Sequence, residues 1–173
     1  AAAVPERKAF ICGAQQLSFA QLNTRANQLG NALRAKGIGR GDNVGIQLYN
    51  SAEYLETFFA CMKIGAVPVN INYRYVAHEL KYLYTNLEMK GLVYGADFEA
   101  ETQKALAEAP NVQLPIQVAG AGSAYETLLA TGEKELSDPD RSENDHYILC
   151  TGGTTGMPKG VVWTHKAVFM AAL

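Results

Sequence analysis

Apolar positions along the chain recur with two alternating periods. Ser18 and Gln21 form a capping-box pair, and behind them Leu22, Ala26, Leu29 and Leu33 fall on one helical stripe. Gly37, Gly39 and Gly41 stop that helix. Val44, Ile46 and Leu48 then alternate with Gly45 and Gln47, as in a strand. Asn50 with Glu53 reads as a second N-terminal cap, followed by Tyr54, Leu55, Phe58, Phe59 and Met62 at helical spacing and a stop at Gly65. Val67, Val69 and Ile71 alternate again, and Leu80, Leu83, Tyr84 and Leu87 give the i, i+3, i+4, i+7 pattern of a buried helical face. Leu92, Val93 and Tyr94 predict a short strand, and 99–109 an Ala-rich helix closed by Pro110. The run 112–118 predicts a strand that Pro115 moves toward a sheet edge, and 123–130 a short helix. Strand starts about 23 to 30 residues apart match a strand–helix–strand crossover. The pattern therefore predicts an α/β fold: a mostly parallel sheet flanked by helices.

The alternation breaks at 131–145, a polar stretch with eight charged residues that reads as a solvated surface loop rather than a metal site. The next run, His146 to Cys150, reads as a buried strand. It leads directly into Thr151-Gly152-Gly153-Thr154-Thr155-Gly156-Met157-Pro158-Lys159-Gly160, and a second apolar run, Val161-Val162-Trp163, follows. Four glycines in this ten-residue loop let the backbone adopt positive φ and approach a ligand closely. Consecutive N–H groups in such a turn form an anion-binding concavity. Three threonine hydroxyls and the point charge of Lys159 add to it, and Pro158 stiffens the chain before the lysine. These groups suit a polyphosphate tail. The loop is not a Walker motif, because Gly160 and Val161 follow Lys159, and no G-x-G-x-x-G opens a helix. Composition alone leaves a Gly-rich hairpin with solvated threonines equally open.

With 173 residues the chain has the length of about one domain. A formal charge of −2, from 15 Lys and Arg against 17 Asp and Glu, gives no reason to expect nucleic acid or an anionic membrane as partner. No apolar run reaches the ~18 residues of a membrane span. Cys12, Cys61 and Cys150 lie far apart without metal-ligand or CxxC spacing, which suits free thiols and a cytoplasmic location. Cys150 has no identifiable partner base and reads as structural, as do the isolated His78 and His146.

The string from Thr151 to Gly160 closely resembles the phosphate-binding signature of the adenylate-forming superfamily. Upstream segments agree in order and spacing. Leu17 to Leu22 is similar to the family's entry to its first long helix, and Gly39 to Ile46 to the turn and strand after it. Met62 to Asn70 resembles its K-x-G-A-x-x-V element. The run from Asn70 to Tyr75, with Glu79 and Leu80 beyond it, looks more like acyl-CoA synthetases of the fatty-acid type than peptide-synthetase domains. The resemblance spans essentially the whole chain. It implies that residues 1–173 are part of the large N-terminal domain of an adenylate-forming enzyme, with the phosphate-binding loop at 151–160.

The resemblance also implies an activity. ATP with Mg²⁺ converts a carboxylic acid, fatty in type, to an acyl-adenylate and pyrophosphate, and CoA then takes the acyl group. Carried over by position, Thr151, Thr154 and Thr155 would supply hydroxyls. Gly152, Gly153, Gly156 and Gly160 would supply backbone approach, and Lys159 charge on the departing pyrophosphate. Cys150 stands where the family often has an aromatic or small residue. His165 resembles a histidine common just past the loop, with site-shaping and structural roles both open, and Arg74 and Lys63 match recurrent positions without assigned chemistry. The family's adenine, ribose and acyl-binding segments, its hinge and its late lysine have no counterpart here. The expectation is therefore an amino-terminal piece that does not catalyse alone, with an apolar edge or face that self-associates or holds the remainder of the parent chain. The alternatives are a ligase that loads a carrier protein and a noncatalytic domain that binds nucleotide or partners.

Overall fold

The computed structural model describes residues 2–137, 141–152 and 156–171. A two-stranded antiparallel hairpin, β1 (Lys8–Cys12) and β2 (Gln15–Ser18), opens the chain. It leads into α1 (Phe19–Ala35), where the capping box is formed in full: Gln21 N–H donates to Ser18 Oγ at 3.2 Å, and Ser18 N–H to Gln21 Oε1 at 2.8 Å. Leu22, Ala26, Leu29 and Leu33 are all buried, as the stripe predicts.

The main sheet follows by repeated crossovers. Its strands are β3 (Asn43–Gln47), β4 (Val67–Asn70), β5 (Met89–Gly95), β6 (Leu114–Val118), β7 (His146–Thr151) and β8 (Lys159–Thr164), in the order β6-β5-β3-β4-β7-β8. All neighbours are parallel except β7 and β8. Pro115 does lie on an edge strand, β6, where a missing N–H is tolerated. The helices between strands are α2 (Ala52–Ile64), α3 (Ala77–Asn86), α4 (Glu99–Leu106, after a 3₁₀ turn at Ala96–Phe98) and α5 (Ala124–Ala130). A last helix, α6 (His165–Ala171), follows β8.

Helices cover both faces, giving two cores. In one, α1, α2 and α5 bury Leu29, Leu33, Cys61, Ile64, Tyr125 and Leu129 against Val44, Ile46 and Val93. In the other, α3 and α4 bury Leu80, Leu83, Tyr84 and Ala105 against Val69, Leu92, Ile148 and Cys150. β3 is thus buried on both sides, which is why Gly45 and Gln47 interrupt an otherwise apolar strand without reaching solvent.

Two readings of α2 are corrected. Its N-cap is Ser51, whose hydroxyl accepts from Tyr54 N–H at 3.3 Å, not Asn50. Its buried stripe is Ala52, Glu56, Thr57, Ala60, Cys61 and Ile64, whereas Tyr54, Leu55, Phe58 and Met62 are half-buried and Phe59 is exposed. The reason is the close approach of α1. A Cβ on Gly30 would stand 3.1 Å from Ile64 Cγ2 and 3.6 Å from the Ala60 carbonyl, so the absent side chain at position 30 lets α1 settle on the Ala60–Ile64 side of α2. The displaced aromatics lean toward β7, where Phe58 meets the Tyr147 ring edge-on at 5.2 Å between centroids.

The polar stretch after α5 is held more tightly than a solvated loop. Asn27 Nδ2 donates to the Lys134 carbonyl at 2.9 Å, and Asn31 Nδ2 to those of Glu133 and Glu135, each at 2.9 Å. Leu136 packs against the core beneath. Among the described residues no three His, Cys, Asp or Glu side chains converge on a metal position, and no helix is long and apolar enough to cross a membrane.

Candidate nucleotide-phosphate site

The Gly/Thr-rich string closes an antiparallel hairpin between β7 and β8. Thr151 stands opposite Lys159 in the ladder and Cys150 opposite Gly160. Thr151, Gly152, Gly156 and Lys159 are exposed, and no described carboxylate pairs with Lys159. Gly156 has φ of 124°, a conformation that L side chains rarely adopt. Pro158 is buried and anchors the return to β8. The three central residues, Gly153, Thr154 and Thr155, lie outside the described residues.

The base of the loop is packed against the rest of the fold. A Cβ on Gly160 would stand 2.9 Å from Ile148 Cγ2 and 3.2 Å from Leu87 Cδ2, so glycine lets β8 pass over the end of α3. Cys150 is buried on the same face, and desolvation pushes its thiol up to about 12. It is therefore a neutral thiol at physiological pH, without the thiolate that nucleophilic chemistry needs. Tyr75, in the turn after β4, extends its hydroxyl to Gly152 and lies 3.3 Å from where a Cβ on that residue would be.

Beside the loop the carboxyl ends of β3, β4 and β7 open a cavity of about 280 Å³. Leu48, Asn50, Tyr54, Asn70, Asn72, Tyr73 and Cys150 line it. Ligands of open α/β sheets bind outside the carboxyl ends of the strands, which is where this cavity lies. An aromatic group rims this edge: Tyr49 and Tyr73 centroids are 4.7 Å apart, Tyr49 and Phe98 4.9 Å. Arg74 lies over the Tyr73 ring at 5.0 Å.

The remaining candidates are dispersed. His165 starts α6, at the end of β8 opposite the loop, and a six-residue strand separates them by roughly 20 Å. Its backbone N–H donates to the Asp145 carbonyl at 2.8 Å, and Asp145 pairs with Arg40. Lys63 donates to Asn23 Oδ1 and Asn27 Oδ1, each at 2.6 Å, and locks α2 to α1. His78 is the second residue of α3 and His146 begins β7. Pattern reading names Tyr75 and Leu87 but does not connect them to the loop, because both reach it across the fold and neither belongs to the loop string.

The family model for AMP-binding enzymes matches residues 1–173. The chain belongs to the AMP-binding enzyme family. It is 40% identical to 3-oxocholest-4-en-26-oate–CoA ligase of Rhodococcus rhodochrous, over 96% of this chain and 32% of that protein. It is 38% identical to a medium/long-chain-fatty-acid–CoA/3-oxocholest-4-en-26-oate–CoA ligase of Mycobacterium marinum, over 96% of this chain and 33% of that one. The chain thus spans about a third of the length of these relatives. Among solved structures, the inhibitor-bound N-terminal domain of FACL13 from Mycobacterium tuberculosis superposes with a TM-score of 0.87 at 30% identity, covering 97% of this chain and 43% of that one. The fold matches part of the N-terminal domain of adenylate-forming enzymes, as the resemblance implies.

Proposed function

We propose that this AMP-binding chain supplies the polyphosphate-holding part of a longer AMP-forming acyl-CoA synthetase. The observation that carries the reading is the β7–β8 hairpin. It brings Thr151 and Lys159 to facing ladder positions at the mouth of a glycine-bearing loop, with Lys159 uncommitted to any described carboxylate. A carboxylate of the substrate acid attacks the α-phosphorus of ATP, and the bond to the bridging oxygen of pyrophosphate breaks. The CoA thiol then displaces AMP from the acyl-adenylate. The β- and γ-phosphates sit on the loop: Thr151, Thr154 and Thr155 donate hydroxyls, and Gly152, Gly153, Gly156 and Gly160 keep the backbone close. Lys159 neutralises charge as it moves onto pyrophosphate, which is electrostatic catalysis of the leaving group. Mg²⁺ that enters with the triphosphate adds to that neutralisation.

The names of the two relatives support a medium- or long-chain fatty acid, or a steroid with a carboxylated side chain, as the acid. The exposed apolar surface supports placement within a larger domain. Val161 and Trp163 share a face of β8 with Val162 on the other, and Phe169 and Met170 follow on α6, at 64% and 63% exposure. Later segments of the parent chain would cover this surface, and without them it would self-associate.

The test is acid-dependent exchange of labelled pyrophosphate into ATP by the full-length protein, followed by acyl-CoA formation when CoA is added. The expected result is exchange with fatty or steroid acids before CoA is present. Absence of acid-dependent exchange overturns the reading, and loading of a carrier protein without acyl-CoA transfers it to a different ligase class. Residues 1–173 alone are expected to show no turnover.

A further inference from the structure

Apolar packing does not explain the phenol of Tyr75, beside the loop. The residue is 8% exposed, yet its hydroxyl has no hydrogen-bond partner among the described residues. Buried tyrosine hydroxyls are nearly always bonded, because a buried donor left alone forfeits its hydration. Phenylalanine would fill the same space among Leu80, Ile148 and Cys150 without that cost. The ring is held by the turn after β4, where Tyr75 N–H donates to the Asn72 carbonyl at 3.1 Å. That turn aims the oxygen at Gly152, the first glycine of the loop, whose missing side chain leaves room for it. Burial, with Cys150 and Glu79 nearby, raises the phenol above its ordinary value, so it stays protonated and able to donate.

We propose that Tyr75 is a positioning residue for the nucleotide loop: its hydroxyl donates to the main chain at Gly152 when a polyphosphate is bound. This rests on the assignment of the loop to the ATP phosphates. The hydrogen bond is then made mainly in the liganded state, so the energy of satisfying a buried donor contributes to polyphosphate affinity. Tyr75 touches no substrate atom. It acts through the loop, and Gly152 is glycine because a methyl group there would crowd the oxygen.

The experiment compares wild type with Tyr75→Phe in the full-length protein, by calorimetry with two probes. One is a non-hydrolysable ATP analogue with Mg²⁺, the other is AMP, which lacks the β- and γ-phosphates. Tyr75→Phe is expected to weaken the ATP analogue about three- to tenfold, to leave AMP unchanged, and to leave or raise the melting temperature of the nucleotide-free protein. Equal weakening of both probes, or of neither, overturns the proposal. If wild type binds neither probe, the nucleotide assignment itself fails and takes this inference with it. Gly152→Ala provides an independent arm: it is expected to weaken the analogue more in the wild type than in the Tyr75→Phe background, and strictly additive effects also overturn the proposal.

Discussion

Leu87, just past the end of α3, occupies the space in front of Gly160, with its Cδ2 3.2 Å from where a Cβ on the glycine would stand. The same position would be 2.9 Å from Ile148 Cγ2. Lys159, the preceding residue of β8, presents its side chain to the other face of the strand. Gly160→Ala should overpack the Leu87 contact and cost about 1–3 kcal/mol, measured by urea unfolding. Adding Leu87→Ala should recover part of the loss. No recovery in the double variant would show that β8 is not seated on Leu87.

Lys159 is assigned to the departing pyrophosphate, so its loss should divide the two half-reactions. In the full-length enzyme Lys159→Ala should slow adenylate formation by about 10²–10³-fold. Thioester formation from pre-formed adenylate should change far less, because pyrophosphate has already left. Single-turnover assays of each step decide this, and equal losses in both would remove the assignment.

How much of this was legible depended on whether a signal was local. α1 announced itself twice, by the Ser18–Gln21 cap and by a stripe of four apolar residues, and both survive in the structure. The loop was legible as an uninterrupted string. The stripe of α2 misled because large aromatics dominate periodicity, while the close approach of α1 at Gly30 sets which side of α2 is buried. β1 and β2 gave no alternation to read, since neither has a buried residue. Tyr75 and Gly152 lie on different strands' ends, and only the parallel pairing of β4 with β7 brings them together.

The three thiols should separate by environment. Cys12 is exposed on the hairpin, whereas Cys61 and Cys150 are buried and desolvation pushes each up to about 12. At pH 8 iodoacetamide should alkylate Cys12 under native conditions and reach Cys61 and Cys150 only on unfolding. Mass spectrometry of tryptic peptides checks the order. Native modification of Cys150 at a rate comparable to Cys12 would contradict its burial against Tyr75 and the base of the loop.

His165 should make stability depend on pH in one direction. Desolvation lowers its affinity for a proton, opposed by the Asp145 charge and by a hydrogen bond to the His146 backbone. The unfolded imidazole takes up a proton near pH 6.5, while the folded one resists until lower pH. Its contribution is therefore fully present above about pH 6.5 and is lost as pH falls from there through the folded value. Urea midpoints at pH 7.5 and 5.5 should show a larger drop for wild type than for His165→Gln. An equal drop would mean that carboxylates alone account for the acid sensitivity.

An ion-pair network with a buried carboxylate lies away from the loop, where Arg25 joins α1 to α2 and α5. Its Nε donates to Glu56 Oε1 at 2.6 Å and its Nη2 to Glu126 Oε1 at 2.5 Å. Tyr125 hydroxyl adds a bond to Glu56 Oε2 at 2.8 Å. The Glu56 side chain is 1% exposed against 31% for Glu126, and this contrast decides the outcome of substitution. Arg25→Met strands a buried carboxylate on one remaining partner and should cost about 3 kcal/mol. Glu126→Gln removes a partner that water can replace and should cost no more than about 1 kcal/mol. The pair Arg25→Met with Glu56→Leu should be less damaging than Arg25→Met alone, since no charge is then left buried. Denaturant titration of the four proteins orders them, and a double variant weaker than the single would show that the Arg25–Glu56 pair itself, and not the stranded charge, carries the stability.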